Sequence, residues 1–227
     1  MELIEAIYQR RAVRNFTDQP VARETILALL QAAVQAPSAI NQQPWAFAVI
    51  GGKTRLDGYS ERAKQHLFAV LPQSLSLHRR SDQLEDPAYN VFHHAGTLIV
   101  ILAKPAPYAA NEDCCLAAQN LMLAAHGMGL GSCPIGFVRP WLDQPDIKRE
   151  LDIPSDYSVI MPLVIGWPAG KTEPVPRVEP EIAVWSVAGE STPGATEFVR
   201  MSSQPPKIGM APGWQGAGPE GDGRGGD

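Results

Sequence analysis

Long apolar runs are missing from this 227-residue chain. Although 44% of its residues are hydrophobic, no stretch approaches the ~20 consecutive apolar residues that cross a bilayer, so no membrane association is expected. Positive charge is also in short supply. Nineteen Lys and Arg against 24 Asp and Glu give a net charge of −5 and leave nothing to offset a nucleic-acid backbone. Cysteine is scarce: Cys114, Cys115 and Cys133 are odd in number and two are adjacent, which suits a reducing compartment better than a disulfide framework. The N-terminal MELIEAIYQRR puts its apolar residues before the basic pair and lacks a small-residue cleavage site, unlike a secretion signal. A cytoplasmic location is therefore expected.

Several catalytic signatures are absent as well. There is no G-x-S-x-G elbow, no H-E-x-x-H and no G-x-x-x-x-G-K-[ST], so the common hydrolase and phosphate-loop readings fall. Gly127, Gly129 and Ser132 come close to a dinucleotide fingerprint, but they follow a helical pattern where that motif needs a strand. His93–His94 and Cys114–Cys115 send neighbouring side chains to different faces and do not read as a metal site.

What is present is an alternation of helical and extended patterns. Leu3, Ile4, Ile7 and Tyr8 share one face of a short helix ending at Arg10 and Arg11, and Ile26 to Val34 form the stripe of a second helix opened by Asp18 and Pro20. A polar turn over 37–44 leads to a strand from Trp45 to Ile50, then a helix over about 54–70 and a long excursion over 72–92. Residues 97–103 read as a buried strand. The segment 111–126 is a helix apolar nearly all round, which must be covered by its own core or by a second subunit. A strand over 132–138, a short helix over 143–151 and a last strand over 158–166 complete an α+β pattern, and an extended Pro-rich run follows to Pro180. Residues 1–185 thus read as the folded domain. From residue 186 onward, ten of the chain's 20 glycines crowd into the tail, and such a composition predicts disorder.

Arg10, Arg11 and Arg14 cluster at the end of the first helix. Two readings stay open: guanidinium groups capping the final carbonyls, or a clamp for a phosphate monoester. Pro37, Ser38 and Asn41 likewise read as plain turn residues or as ligand contacts. His78, Arg79 and Arg80 could meet an anionic substrate or form a solvated loop.

Arg10-Arg11-Ala-Val-Arg14, the Pro37-to-Trp45 segment PSAINQQPW, Gly129-to-Phe137 GLGSCPIGF, and Ile165-Gly-Trp-Pro168 with Arg177 occur in an order that resembles the FMN-dependent nitroreductase family. The likeness spans about residues 2–180. It implies an α+β fold with a central mixed, mainly antiparallel sheet wrapped by helices, in an intertwined homodimer with FMN at the interface. By the same resemblance Arg10, Arg11, Arg14 and Arg177 hold the flavin phosphate, although Ala12 stands where the family has a serine hydroxyl. Pro37, Ser38, Ala39 and Asn41 reach the flavin from the partner subunit. Pro134, Ile135 and Gly136 pass beside the ring, with the Ile135 and Gly136 N–H groups near N5; Pro134, having no N–H, replaces a common tryptophan.

The implied activity is reduction of nitroaromatics, quinones or related electrophiles, with NADH or NADPH as reductant and hydride passed by a ping-pong mechanism. Alternatives are a flavin-storage module or another family reaction: reductive dehalogenation, enone reduction or flavin fragmentation.

Overall fold

The structure is a computed structural model that describes residues 1–70, 84, 86–178 and 180–186. The Gly/Pro-rich tail from 187, most of the excursion, and with it His78, Arg79 and Arg80, lie outside the described residues. Packing divides the chain into Met1–Val175 and a second unit starting at Pro176. The described part of that second unit, which includes Arg177, forms no helix or strand.

The first unit is built on an antiparallel sheet in the order β1-β2-β4-β3, formed by β1 (Trp45–Gly51), β2 (Thr97–Ala103), β3 (Gly131–Pro134) and β4 (Ser158–Gly166). β2 is central and buried throughout, which is why its sequence is apolar without alternation. Its side chains still divide by parity. Leu98, Val100 and Leu102 join Leu56, Leu67, Phe92 and Trp141 on one face; Ile99 and Ile101 join Leu29, Ala117, Leu121 and Leu163 on the other. The first cluster lies under α3 (Lys53–Val70), α5 (Arg139–Leu142) and α6 (Pro145–Glu150), the second under α2 (Arg23–Ala33) and α4 (Ala110–Gly127). α1 (Leu3–Gln9) packs on α4. No described helix is long and apolar enough to cross a membrane.

Three elements differ from the sequence reading. β3 stops at Pro134 instead of continuing to 138. Pro134 has no N–H for a ladder, and Ile135 turns away at φ −113° and ψ 57° into a 3₁₀ turn over Gly136–Val138. α2 starts at Arg23, later than Asp18, because Phe16 bridges Pro168 and the Thr17 N–H donates to Trp167 O at 2.8 Å. The helix expected over 143–151 is α6, and a further short helix, α5, which the sequence reading did not include, precedes it; each has a proline in its first turn.

The segment after α1 is tied to the β3 edge of the sheet. Ala12 bridges Ser132 in parallel, the Val13 N–H donates to Ser132 O at 3.0 Å, and the Ala169 N–H donates to Asn15 O at 3.0 Å. Two glycines allow this approach. Gly131 and Gly166 face each other across β3 and β4. A Cβ on Gly131 would meet Val13 Cγ2 at 2.6 Å, and one on Gly166 would meet Phe16 Cδ1 at 2.9 Å.

Candidate functional site

Threading Arg10 to Arg14 along this edge brings the arginines to the surface as a row. A cleft of about 380 Å³ is lined by Arg10, Arg11, His126, Ser132, Lys171 and Thr172 among others. A second, of about 230 Å³, adds Arg14 and shares Lys171 and Thr172 with the first. The larger falls in the size range of small-ligand sites. Ser132, the bridge partner of Ala12, stands in its wall.

Arg11 fulfils the capping reading. Its Nη1 donates to Tyr8 O at 2.6 Å and to Arg10 O at 2.8 Å, satisfying carbonyls at the end of α1. Its Nε, however, is buried without a partner, and so is Nε2 of His126. Both atoms are enclosed in the wall of a cleft whose cationic lining suits an oxygen-rich anion. Burial lowers the His126 pKa, with Arg10 and Arg11 adding to the effect and Glu5 opposing it. Beside Arg14, His93 is pushed down to about 4, first by burial and then by the Arg14 charge and His94.

Pro37, Ser38, Ala39 and Asn41 lie elsewhere on the chain. They belong to a turn clamped to the other end of α4: the Ala39 N–H donates to both Asp113 carboxylate oxygens at 3.2 Å, and Gln42 Nε2 donates to Asp113 Oδ2 at 3.0 Å. Ser38 Oγ accepts the Gln43 N–H, and Asn41 Oδ1 accepts Gln43 Nε2, both at 3.0 Å. These polar atoms therefore serve the turn itself. Ile40, Asn41 and Gln43 all have positive φ, a costly state for the branched Ile40, whose side chain is 79% exposed. Thirteen residues separate Asp113 from His126 along α4, about 20 Å at the helical rise. One chain thus does not bring the Ser38 turn to the arginine cleft.

Pro134 ends β3, whose Ser132 stands in the cleft wall, and Ile135 and Gly136 follow it. The Ile135 N–H donates to Pro162 O at 2.9 Å and is taken up within the sheet. Asp113, His126 and Lys171 were not singled out from the sequence. Lys171 carried the same signal as Arg177, a basic residue in the run after the last strand. His126 and Asp113 gave only the weak signal of charge placed suitably at helix ends.

The geometry brings together a small α+β sheet and a row of cations at its edge. The chain belongs to the nitroreductase family, whose pattern it matches over residues 7–167. It is 29% identical over 185 residues to the FMN reductase [NAD(P)H] of Bacillus subtilis, covering 79% of this chain and 71% of that one. It is equally 29% identical over 200 residues to the nitrobenzene nitroreductase of Ectopseudomonas oleovorans, covering 72% and 85%. A nitroreductase of Bacteroides fragilis with bound FMN superimposes with a TM-score of 0.69 at 26% identity, over 82% of this chain and 99% of that one.

Proposed function

We propose that this chain is an FMN-dependent oxidoreductase, working as a homodimer, that uses NADH or NADPH to reduce nitroaromatics, quinones or related electrophilic small molecules. The observation that carries this is the row Arg10, Arg11, Arg14 with Lys171, lining two clefts that share Lys171 and Thr172. Guanidinium groups bind a phosphate monoester through charge and paired N–H donors. Ser132 offers a hydroxyl beside Ala12, where the family serine is lacking. Among the residues expected beside the ring, Ile135 spends its N–H on Pro162 O, so in this reading the backbone donor near the ring is that of Gly136.

FMN, when bound, supplies the two-electron hydride chemistry that no side chain here can perform. The chain's part is to hold the phosphate, orient the ring and direct donors toward its edge. Reductant and acceptor then use the same open face in turn, which gives ping-pong kinetics.

The homodimer reading rests on two features. The Ser38 turn is about 20 Å from the arginine cleft of its own chain, so a second copy is needed to bring the two together. Apolar side chains also stand out on adjoining helices: Leu3 and Ile7 on α1, Leu27 on α2, and Leu116 on α4. Pairing would cover them.

An absorbance spectrum of the purified protein tests the cofactor, and colourless protein that stays so with added FMN refutes it. Aerobic NAD(P)H oxidation with menadione or nitrofurazone tests turnover: a bound flavin that is bleached and then reoxidised supports the reductase, whereas a flavin that nicotinamide cannot reduce supports a storage module.

A further inference from the structure

We propose that His126 is a further binding residue of the arginine-lined cleft, completing with Arg10 and Arg11 the recognition of a phosphate monoester. The inference rests on the flavin reading above and adds a residue to it. His126 sits in the last turn of α4 and lines the cleft with Arg10, Arg11, Ser132 and Lys171. Its Nε2 is buried with no hydrogen-bond partner, as is the neighbouring Arg11 Nε. Buried nitrogens left unpaired are costly, so a turn of each side chain toward an oxygen-rich anion in the cleft that both residues line would relieve both.

The surrounding charges decide what the imidazole does. Met1, Arg10, Arg11 and Lys171 line the same cleft, and Glu5 of α1 opposes the effect of the two arginines on the ring. Burial and the two arginines favour the neutral ring. A phosphate dianion in the cleft offsets those guanidinium charges, so the imidazolium becomes favoured and gains a charge-assisted hydrogen bond. Phosphate binding then takes up a proton, and affinity rises as pH falls. The phosphate's own protonation near pH 6 sets the lower limit of the usable range.

The test uses full-length protein freed of flavin by dialysis and titrated with FMN and with riboflavin, by flavin fluorescence, at about pH 6.5 and about pH 8.5. His126→Gln should weaken FMN about tenfold at the lower pH, the scale of one charge-assisted hydrogen bond, and less at the higher. Riboflavin binding should stay within about twofold. The slope belonging to His126 is the difference between wild type and variant. His126→Lys, cationic at both pH values, should hold FMN near the wild-type level with a flatter pH response; it also carries the test if His126→Gln does not fold. An unchanged FMN-to-riboflavin ratio in His126→Gln overturns the inference, as does a parallel loss of both ligands. Wild type that takes up neither flavin overturns the functional reading and this inference with it.

Discussion

Arg10 and Arg11 stand next to each other in the same cleft, yet they differ in what they give up on substitution. Arg11 spends Nη1 on the Tyr8 and Arg10 carbonyls, so its loss unravels the end of α1 as well as removing charge. Arg10→Ala removes a cleft guanidinium without touching the Arg11 bonds to the Tyr8 and Arg10 carbonyls. It should lower the FMN retained through purification, checked by the flavin-to-protein absorbance ratio; unchanged stoichiometry would remove Arg10 from the site. His93 gives a pH prediction. Burial, Arg14 and His94 hold its folded-state pKa near 4, below the ordinary 6.5. A lowered folded pKa means stability that is complete above pH 6.5 and lost as pH falls toward 4, worth roughly 2–3 kcal/mol at most. His93→Gln should lose less stability than wild type over that range in urea titrations. At this scale the sequence disclosed the arginines, because three in five positions after a helix are conspicuous. It did not disclose Asp113 or His126, whose importance comes from partners 70 residues or more away along the chain or from a cleft formed on folding.

Among elements, β2 and β4 were legible to the residue and α4 to within one, since a continuous branched run and a long apolar helix leave few alternatives. The shortened β3 was not, because Pro134 decides only where the ladder ends, and the Ile135 turn depends on Pro162 across the sheet. The close passage of Val13 and Phe16 over Gly131 and Gly166 was equally hidden: a glycine reads the same whether it faces a neighbour or open solvent. Gly131→Ala should therefore cost about 1–3 kcal/mol through overpacking and loosen flavin binding by shifting the arginine segment. Gly58→Ala provides the contrast. It lies in α3 with nothing within 4 Å of its virtual Cβ, and the change should stabilise by about 0.5–1 kcal/mol. Thermal melts of both variants check the pair; equal effects would mean that the approach of Val13 is not tight.

At the scale of the whole molecule, the homodimer reading places its pairing surface on the exposed apolar side chains of α1, α2 and α4. Leu116 is 47% exposed on α4 and Leu3 is 64% exposed on α1. Leu116→Glu puts a charge where the homodimer reading buries a leucine. It should shift the protein toward monomer in sedimentation and lower flavin content in parallel, while the circular dichroism of the monomer keeps its α+β character. A flavin-replete Leu116→Glu monomer would separate cofactor binding from association. The need for such a surface was visible in the sequence of α4 as excess apolar area. Which of its residues lie outward was not, because Cys114, Ala117 and Ala118 are as apolar as Leu116 and turn inward.

The distance between the two ends of α4 reaches beyond architecture. If neither copy alone owns a complete pocket, coenzyme uptake and chain pairing are a single linked equilibrium governed by mass action. Dilution then bleaches the protein by releasing its pigment, and surplus coenzyme draws separated chains back together.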